Sequence, residues 1–127
     1  MYAYNQQKAI RDLCKNYNIT VTGYSTLGSP GTAVSKKTSV ISNLPKLLEH
    51  PVIKKIAEDH NKTPAQILLR HSIQNDIVII PKSTKPERIK SNIEIFDFSL
   101  TENEMKKIND LDKGEQGRMF TNLNLKG

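Results

Sequence analysis

Two short polar stretches in the sequence carry residue types that bind anions. Residues 24–29 combine hydroxyl groups with a glycine, and residues 82–88 combine lysine and arginine with hydroxyls. Hydroxyls and backbone N–H groups suit a pyrophosphate, whereas Lys82, Ser83 and Arg88 beside a helix N-terminus suit a phosphate monoester. The same composition also occurs in ordinary turns with solvated charges. The chemistry of these residues therefore leaves two interpretations open, an anion site and a pair of surface turns.

Each stretch follows a run of residues typical of a β-strand. Residues 19–24 are rich in β-branched side chains, and residues 77–80 form a continuous apolar run of the kind found in parallel strands covered on both faces. Ligand sites of α/β sheets gather at the carboxyl ends of the strands. This placement puts both polar stretches where such a site is expected.

Amphipathic segments surround the two strands and predict an α/β fold with parallel strands. A sheet of only two strands has open edges, so we expect the chain to be part of something larger. Residues 25–43 are predicted to form a surface loop, and residues 112–127 an irregular tail. The predicted helices are residues 5–16 with the apolar stripe Ala9, Ile10, Leu13 and Cys14; about 51–60; about 63–74; one from 85 with Ile89, Ile93 and Ile95 on its apolar side; and one after the capping box 101–104.

Length and composition exclude several classes of protein and weaken others. The chain has 127 residues and a net charge of +6, and its basic residues are interleaved with acidic ones, so nucleic-acid binding is a weak alternative. No apolar run reaches membrane-spanning length, and one cysteine, Cys14, excludes an internal disulfide and favours the cytoplasm. A complete eight-stranded β/α barrel needs about 250 residues and is excluded. We expect packing or solvated roles for His50, His60 and His71, which lack metal-ligand spacing.

The two polar stretches resemble the cofactor motifs of the aldo-keto reductases. VTGYSTLGSP at 21–30 resembles the motif after the seventh barrel strand, and IIPKSTKPERIKSN at 79–92 resembles the NADP-binding signature after the eighth. Further similarity at 47–53, 60–66 and 96–101 extends the resemblance over nearly the whole chain. The resemblance implies the C-terminal portion of a TIM (β/α)8 barrel, with residues 1–127 as a single partial domain.

The resemblance also implies that nine residues bind NADPH or NADP. In the family, the residue matching Tyr24 stacks against the nicotinamide ring. Thr26 stands where many members have proline, and Ser91 where many have glutamate. The other implied contacts are Ser25, Leu27 and Ser29 with the pyrophosphate; Lys82, Ser83, Thr84 and Arg88 with the 2′-phosphate and adenine end; and Asn92 with the adenine.

The implied activity is reduction of aldehydes and ketones by hydride transfer from NADPH, by a cytoplasmic protein that is monomeric at full length. The family's catalytic aspartate, tyrosine, lysine and histidine lie in the N-terminal half of the barrel, and no residue here is assigned to them. Residues 4–8 resemble the segment after the sixth strand. We therefore expect a fragment that is inactive alone. The alternatives are a short non-catalytic protein that binds nucleotide or pairs with another chain, and a basic nucleic-acid-binding module.

Overall fold

Five α-helices and two β-strands make up the part of the chain that the computed structural model describes, residues 1–29 and 45–118. Short 3-10 helices occur at Leu47–Glu49 and Gly114–Gly117. Most of the predicted surface loop, and the last nine residues of the predicted tail, lie outside the described residues. In chain order the main elements are α1 (Lys8–Asn16), β1 (Val21–Gly23), α2 (Pro51–Asp59), α3 (Pro64–Gln74), β2 (Ile77–Ile79), α4 (Pro86–Ile93) and α5 (Glu102–Asn109).

The two strands pair in parallel, which confirms the predicted α/β class. Val21 lies opposite Ile77, and Gly23 lies opposite Ile79, so both strands end at the same edge of the sheet. A Cβ on Gly23 would lie 2.7 Å from Cγ2 of Thr26 and 2.8 Å from Cγ2 of Ile77. Only glycine therefore allows β1 to lie this close to β2 and to the turn that follows β1.

The apolar core lies mainly between α2, α3 and α5. Ile53, Ile67 and Ile108, one from each helix, are fully buried. Thr63 and Thr101 begin α3 and α5 with complete capping boxes, in which the threonine hydroxyl accepts from a backbone N–H three residues on. These caps satisfy backbone donors at the first turn and fix where each helix starts.

The segment from Tyr2 to Gln6 is buried throughout, which the sequence did not predict. The Tyr2 hydroxyl donates a hydrogen bond to the Gly117 carbonyl at 2.6 Å, and burial, with Tyr4 nearby, raises the pKa of Tyr2 to about 12. The Lys113 N–H donates to the Tyr4 carbonyl at 2.8 Å. Part of the predicted irregular tail thus forms a 3-10 helix that packs on this segment. As a result α1 begins at Lys8 rather than at residue 5.

Several surfaces that the sequence predicts to be apolar and covered are exposed. No residue of α1 is buried, and more than half of the Ile10 and Leu13 surface is accessible. In β2, Val78 is 47% exposed, so the prediction that this strand is covered on both faces is wrong for the described residues. The reason is that this sheet has two strands, and no described element packs over its second face. None of the described helices has the length and apolar content needed to cross a membrane.

The surroundings of two histidines favour the neutral imidazole. His71 is buried on α3 and forms a 2.8 Å hydrogen bond with Oδ1 of Asn109, while Nδ1 of His50 accepts the Val52 N–H at the start of α2. Burial lowers the pKa of both imidazoles below the usual value of 6.5, and a positive charge nearby, Arg11 for His71 and Lys113 for His50, acts in the same direction. Protonation of His50 would also remove the acceptor that caps α2.

These histidines should make stability fall as the pH is lowered. Below about pH 6.5 the unfolded chain binds protons that these two folded imidazoles do not, so the free energy of unfolding is expected to decrease there. Urea unfolding from about pH 7.5 to about pH 5 measures this. His50→Asn keeps a capping side chain but does not titrate, and it should show a shallower decrease. A wild-type free energy that is constant over the whole range would contradict the prediction.

Candidate functional site

The turn after β1 is fixed on one side by the core. The Gly28 N–H donates to the Ser25 carbonyl at 2.9 Å, and both residues have positive φ, 76° and 55°. Thr26 is buried and Leu27 packs against the core, which holds the turn on the body of the protein. The Ser29 hydroxyl donates to the Ser25 hydroxyl at 2.8 Å. The two serines predicted to bind a pyrophosphate are therefore adjacent.

The aromatic ring at the end of β1 is accessible. Tyr24 is 64% exposed at the strand's carboxyl end, directly before the turn. Leu27, the remaining residue predicted to line the pyrophosphate, is only half-buried. An exposed ring beside two hydroxyls suits a flat ligand group attached to a phosphate.

The loop after β2 leads into a helix whose N-terminus has no side-chain cap. Lys85 is the N-cap of α4 and makes no side-chain capping bond, and Pro86 is the first helical residue. The Ser83 hydroxyl accepts the Lys85 N–H at 3.1 Å, which closes the loop. Uncapped N–H groups and the positive end of the helix dipole favour a bound anion.

Three cationic side chains surround this helix start. Lys82, Lys85 and Arg88 are exposed, and none of them forms an ion pair with any residue of the described ranges 1–29 and 45–118. By contrast, a carboxylate four residues further along the chain pairs with each of four lysines of the described helices: Lys8, Lys55, Lys90 and Lys106. The cations after β2 therefore have their full charge available to a ligand.

The parallel register brings the two loops to one side of the sheet. Because Gly23 pairs with Ile79, the serine turn and the cationic loop both leave the same edge. Asn92, predicted to contact an adenine, lies half-buried in the last turn of α4, and Thr84 is exposed in the cationic loop. A flat ring, two hydroxyls, three cations and an uncapped helix N-terminus match the chemistry of an extended anion that carries several phosphates and aromatic groups.

The side chains of His60 and Glu104 form a pair outside this edge that the sequence did not predict. His60 Nε2 lies 2.9 Å and 3.0 Å from the two carboxylate oxygens of Glu104, which also accepts the Thr101 N–H. Burial raises the pKa of Glu104, but the bonds from His60 and Thr101 outweigh it and lower the pKa overall. The pair joins the end of α2 to the start of α5, so its role is structural. Only the capping box gave a local signal for it.

No metal site accompanies the candidate edge. Among the residues that the structure describes, no three histidine, cysteine, aspartate or glutamate side chains are grouped so that they could hold a metal ion. Cys14 is half-buried on α1 and is not part of a disulfide. The candidate site therefore consists of the hydroxyls, cations and backbone groups of the two loops.

The sequence is similar to those of several curated proteins. The chain is 42% identical to the probable NAD(P)H-dependent D-xylose reductase xyl1 of Emericella nidulans over 113 residues, which is 89% of this chain and 35% of that protein. It is 45% identical to aldo-keto reductase family 1 member A1 of Gallus gallus over 112 residues, 88% of this chain and 33% of that protein. The chain thus spans about a third of the length of the curated relatives it matches.

Solved structures show the same similarity. The crystal structure of Gox0644 in its apo form superposes with a TM-score of 0.79 at 32% identity, covering 94% of this chain and 38% of that one. A crystal structure of a Gox0644 mutant in complex with NADPH gives the same values. The Aldo/keto reductase family matches residues 1–113, which is most of the chain. This chain belongs to the aldo-keto reductase family.

Proposed function

We propose that this chain forms the cofactor-binding part of an NADPH-dependent oxidoreductase that reduces aldehydes or ketones. The observation that carries the proposal is the edge where β1 and β2 end, with unpaired cations beside an uncapped helix and adjacent serine hydroxyls. Relatives of the chain include an NAD(P)H-dependent D-xylose reductase, and one structural neighbour was solved with NADPH. Nicotinamide dinucleotides carry the groups that these side chains suit.

The proposed contacts follow the chemistry of each side chain. The exposed ring of Tyr24 would stack on the nicotinamide, and the residues of the turn after β1 would bind the pyrophosphate. Lys82 and Arg88 would neutralise the 2′-phosphate, which distinguishes NADPH from NADH. When bound, NADPH would supply the hydride for the carbonyl carbon. The full proposed set is Tyr24, Ser25, Leu27, Ser29, Lys82, Ser83, Thr84, Arg88 and Asn92.

We further propose that β1 and β2 are the seventh and eighth strands of a barrel whose other strands are not in this sequence. The exposed apolar side chains of α1 and β2, such as Leu13 and Val78, support this because a barrel wall would cover them. The relatives are about three times as long as the part that matches. The acid–base residues of the reaction would then come from outside residues 1–127. We also propose that the complete protein is monomeric and cytoplasmic.

The proposal is tested with the product of the complete coding sequence. Titration with NADPH and NADH should show binding with a preference for NADPH, and an aldehyde should accelerate NADPH oxidation. Failure to bind NADPH up to about 1 mM, the upper end of ordinary enzyme affinities, would contradict the proposal. A stable dimer of the 127-residue chain that binds NADPH but reduces no carbonyl would instead support the non-catalytic alternative.

A further inference from the structure

Helix α4 carries two of the proposed cofactor contacts but has little apolar packing of its own. None of its residues is buried, and Ile89 and Ile93 are more than half exposed. Apolar burial normally fixes the position of a surface helix. Within the described residues, the position of α4 must therefore depend on other contacts.

Polar side chains at and along α3 bond to the end of α4 and to the segment that follows it, and only some of them reach α4 itself. Lys62, Gln66, Arg70 and Gln74 are four residues apart, so they lie along one face. Each bonds to the backbone of residues 91–100, the last turn of α4 and the irregular segment after it. The contacts are Lys62 Nζ to the Glu94 carbonyl (3.5 Å), Gln66 Nε2 to the Ser91 and Glu94 carbonyls (3.0 and 3.1 Å), Arg70 Nη1 to the Ile95 carbonyl (3.2 Å) and Gln74 Nε2 to the Leu100 carbonyl (3.0 Å).

Gln66 is the member of this row that contacts α4 most directly. Its side chain is buried, with 5% of the residue exposed, and its Oε1 accepts the Thr63 N–H at 3.0 Å as part of the α3 capping box. Both hydrogens of its amide go to carbonyls at the C-terminal end of α4, those of Ser91 and Glu94, and the Ser91 carbonyl also accepts the Glu94 N–H at 3.2 Å. The amide is therefore fixed at one end by α3 and supports α4 at the other.

The two carbonyls that Gln66 holds lie on either side of Asn92, and Ser91 is one turn from Arg88. The Ser91 hydroxyl donates to the Arg88 carbonyl at 3.1 Å, so this turn of the helix is bonded internally as well. A helix of eight residues moves as a rigid unit about 12 Å long. Loss of the support at one end would therefore displace the side chains that α4 presents, while the turn after β1 would stay in place.

We propose that Gln66 is a positioning residue for the 2′-phosphate and adenine end of NADPH, acting through α4. This inference rests on the proposed function. It predicts that removing the Gln66 amide affects the part of the cofactor bound by α4 and leaves the pyrophosphate and nicotinamide part unchanged. Binding of NADPH should suffer more than binding of NADH, because only NADPH has the 2′-phosphate.

The test compares Gln66→Met with a matched control, Gln74→Met, in the product of the complete coding sequence. Gln74 is also on α3 and also bonds a backbone N–H and a carbonyl, both of Leu100, and among the described residues it has no hydrogen bond to α4. Gln66→Met is expected to raise the Kd for NADPH about tenfold and the Kd for NADH by less, since NADH shares the adenine but lacks the 2′-phosphate. Gln74→Met is expected to leave both constants within about twofold of wild type.

Two further measurements keep the result interpretable if Gln66→Met folds poorly. Gln66→Glu keeps the acceptor for the Thr63 N–H but replaces the donors to α4 with a carboxylate oxygen that faces the same two carbonyls. It should therefore also weaken the binding of NADPH more than the binding of NADH. Hydrogen exchange of the α4 amides should accelerate in both Gln66 variants and not in Gln74→Met, independently of any cofactor.

The outcomes separate the two proposals. Wild-type protein that binds no NADPH would overturn the proposed function and this inference with it. Wild-type protein that binds NADPH, with Gln66 variants that weaken NADPH and NADH equally, would overturn the positioning role alone. In an Arg88→Ala background, Gln66→Met should weaken NADPH no more than it weakens NADH, since the α4 contact to the 2′-phosphate is already absent.

Discussion

Gly117→Ala is expected to lower the free energy of unfolding by about 3 kcal/mol or more, because it inserts a methyl group where there is no space. A Cβ at this position would lie 1.8 Å from the Tyr4 carbonyl oxygen and 2.6 Å from the Tyr4 carbonyl carbon. Both are backbone atoms, and the oxygen already accepts the Lys113 N–H, so neither can move without breaking other contacts. The Gly117 carbonyl would also lose its bond from Tyr2 if the chain shifted outward.

Gly114→Ala provides the matched control three residues earlier in the same 3-10 helix. Gly114 has a φ of 54°, and a Cβ there would meet no atom within 4 Å. Its replacement costs only the strain of a left-handed backbone, about 1 kcal/mol. Urea unfolding of the two variants at neutral pH measures the difference. Equal losses would show that backbone conformation, rather than contact with Tyr4, limits this segment.

Replacing Lys82 and Arg88 together with alanine is expected to raise the Kd for NADPH about 100-fold, since two charge-assisted contacts to a phosphate are lost. The Kd for NADH should change much less, because NADH has a hydroxyl in place of the 2′-phosphate. Both side chains are exposed and unpaired in the described residues, so their loss should leave the fold intact. The comparison is made by titration of each cofactor at fixed ionic strength, as salt screens exposed charges.

The control for this pair removes the same charge elsewhere. Lys106→Ala with Lys107→Ala takes two lysines from α5, which is not part of the candidate site. If binding depended only on net charge, the α5 variant would weaken NADPH as much as the double variant at the cationic loop. Equal weakening of NADPH and NADH by the loop variant would contradict the assignment of Lys82 and Arg88 to the 2′-phosphate.

Local signals predicted most helix starts correctly. Pro51, Pro64 and Pro86 are each the first residue of a helix, and Thr101 caps α5 with Glu104 as expected. These signals work because a cap or an N-terminal proline acts within one turn of the chain. Strand lengths were predicted less well, since each strand has three residues and pairs only with the other.

The burial of residues 2–6 had no local signal. Gln6, for instance, donates to the Ile108 and Asn109 carbonyls, more than 100 residues away. Such contacts depend on the tertiary arrangement and do not affect periodicity or composition. The exposure of α1 had no local signal either. The spacing of its apolar residues predicted the stripe, but it could not predict that the stripe would stay uncovered in the described part of the chain.

Part of the candidate site followed from the sequence. The strand and loop order predicted that two polar loops would share one edge of a parallel sheet, and the pairing of Gly23 with Ile79 confirms that placement. The roles of the nine individual residues stay predictions. The contact of Gln66 with the end of α4 could not be predicted from the sequence, because Gln66 and Glu94 are 28 residues apart and the contact involves a backbone carbonyl.

The contacts between residues 2–6 and 108–117 have a consequence for the order of folding. Tyr2 bonds to Gly117, and Gln6 bonds to Ile108 and Asn109, so each contact closes a loop of more than 100 residues. Contacts of such long range form slowly, because the entropy of closing the loop is lost before they are made. We therefore expect helices α2 and α3, which begin at local signals, to form before residues 2–6 dock onto residues 108–117.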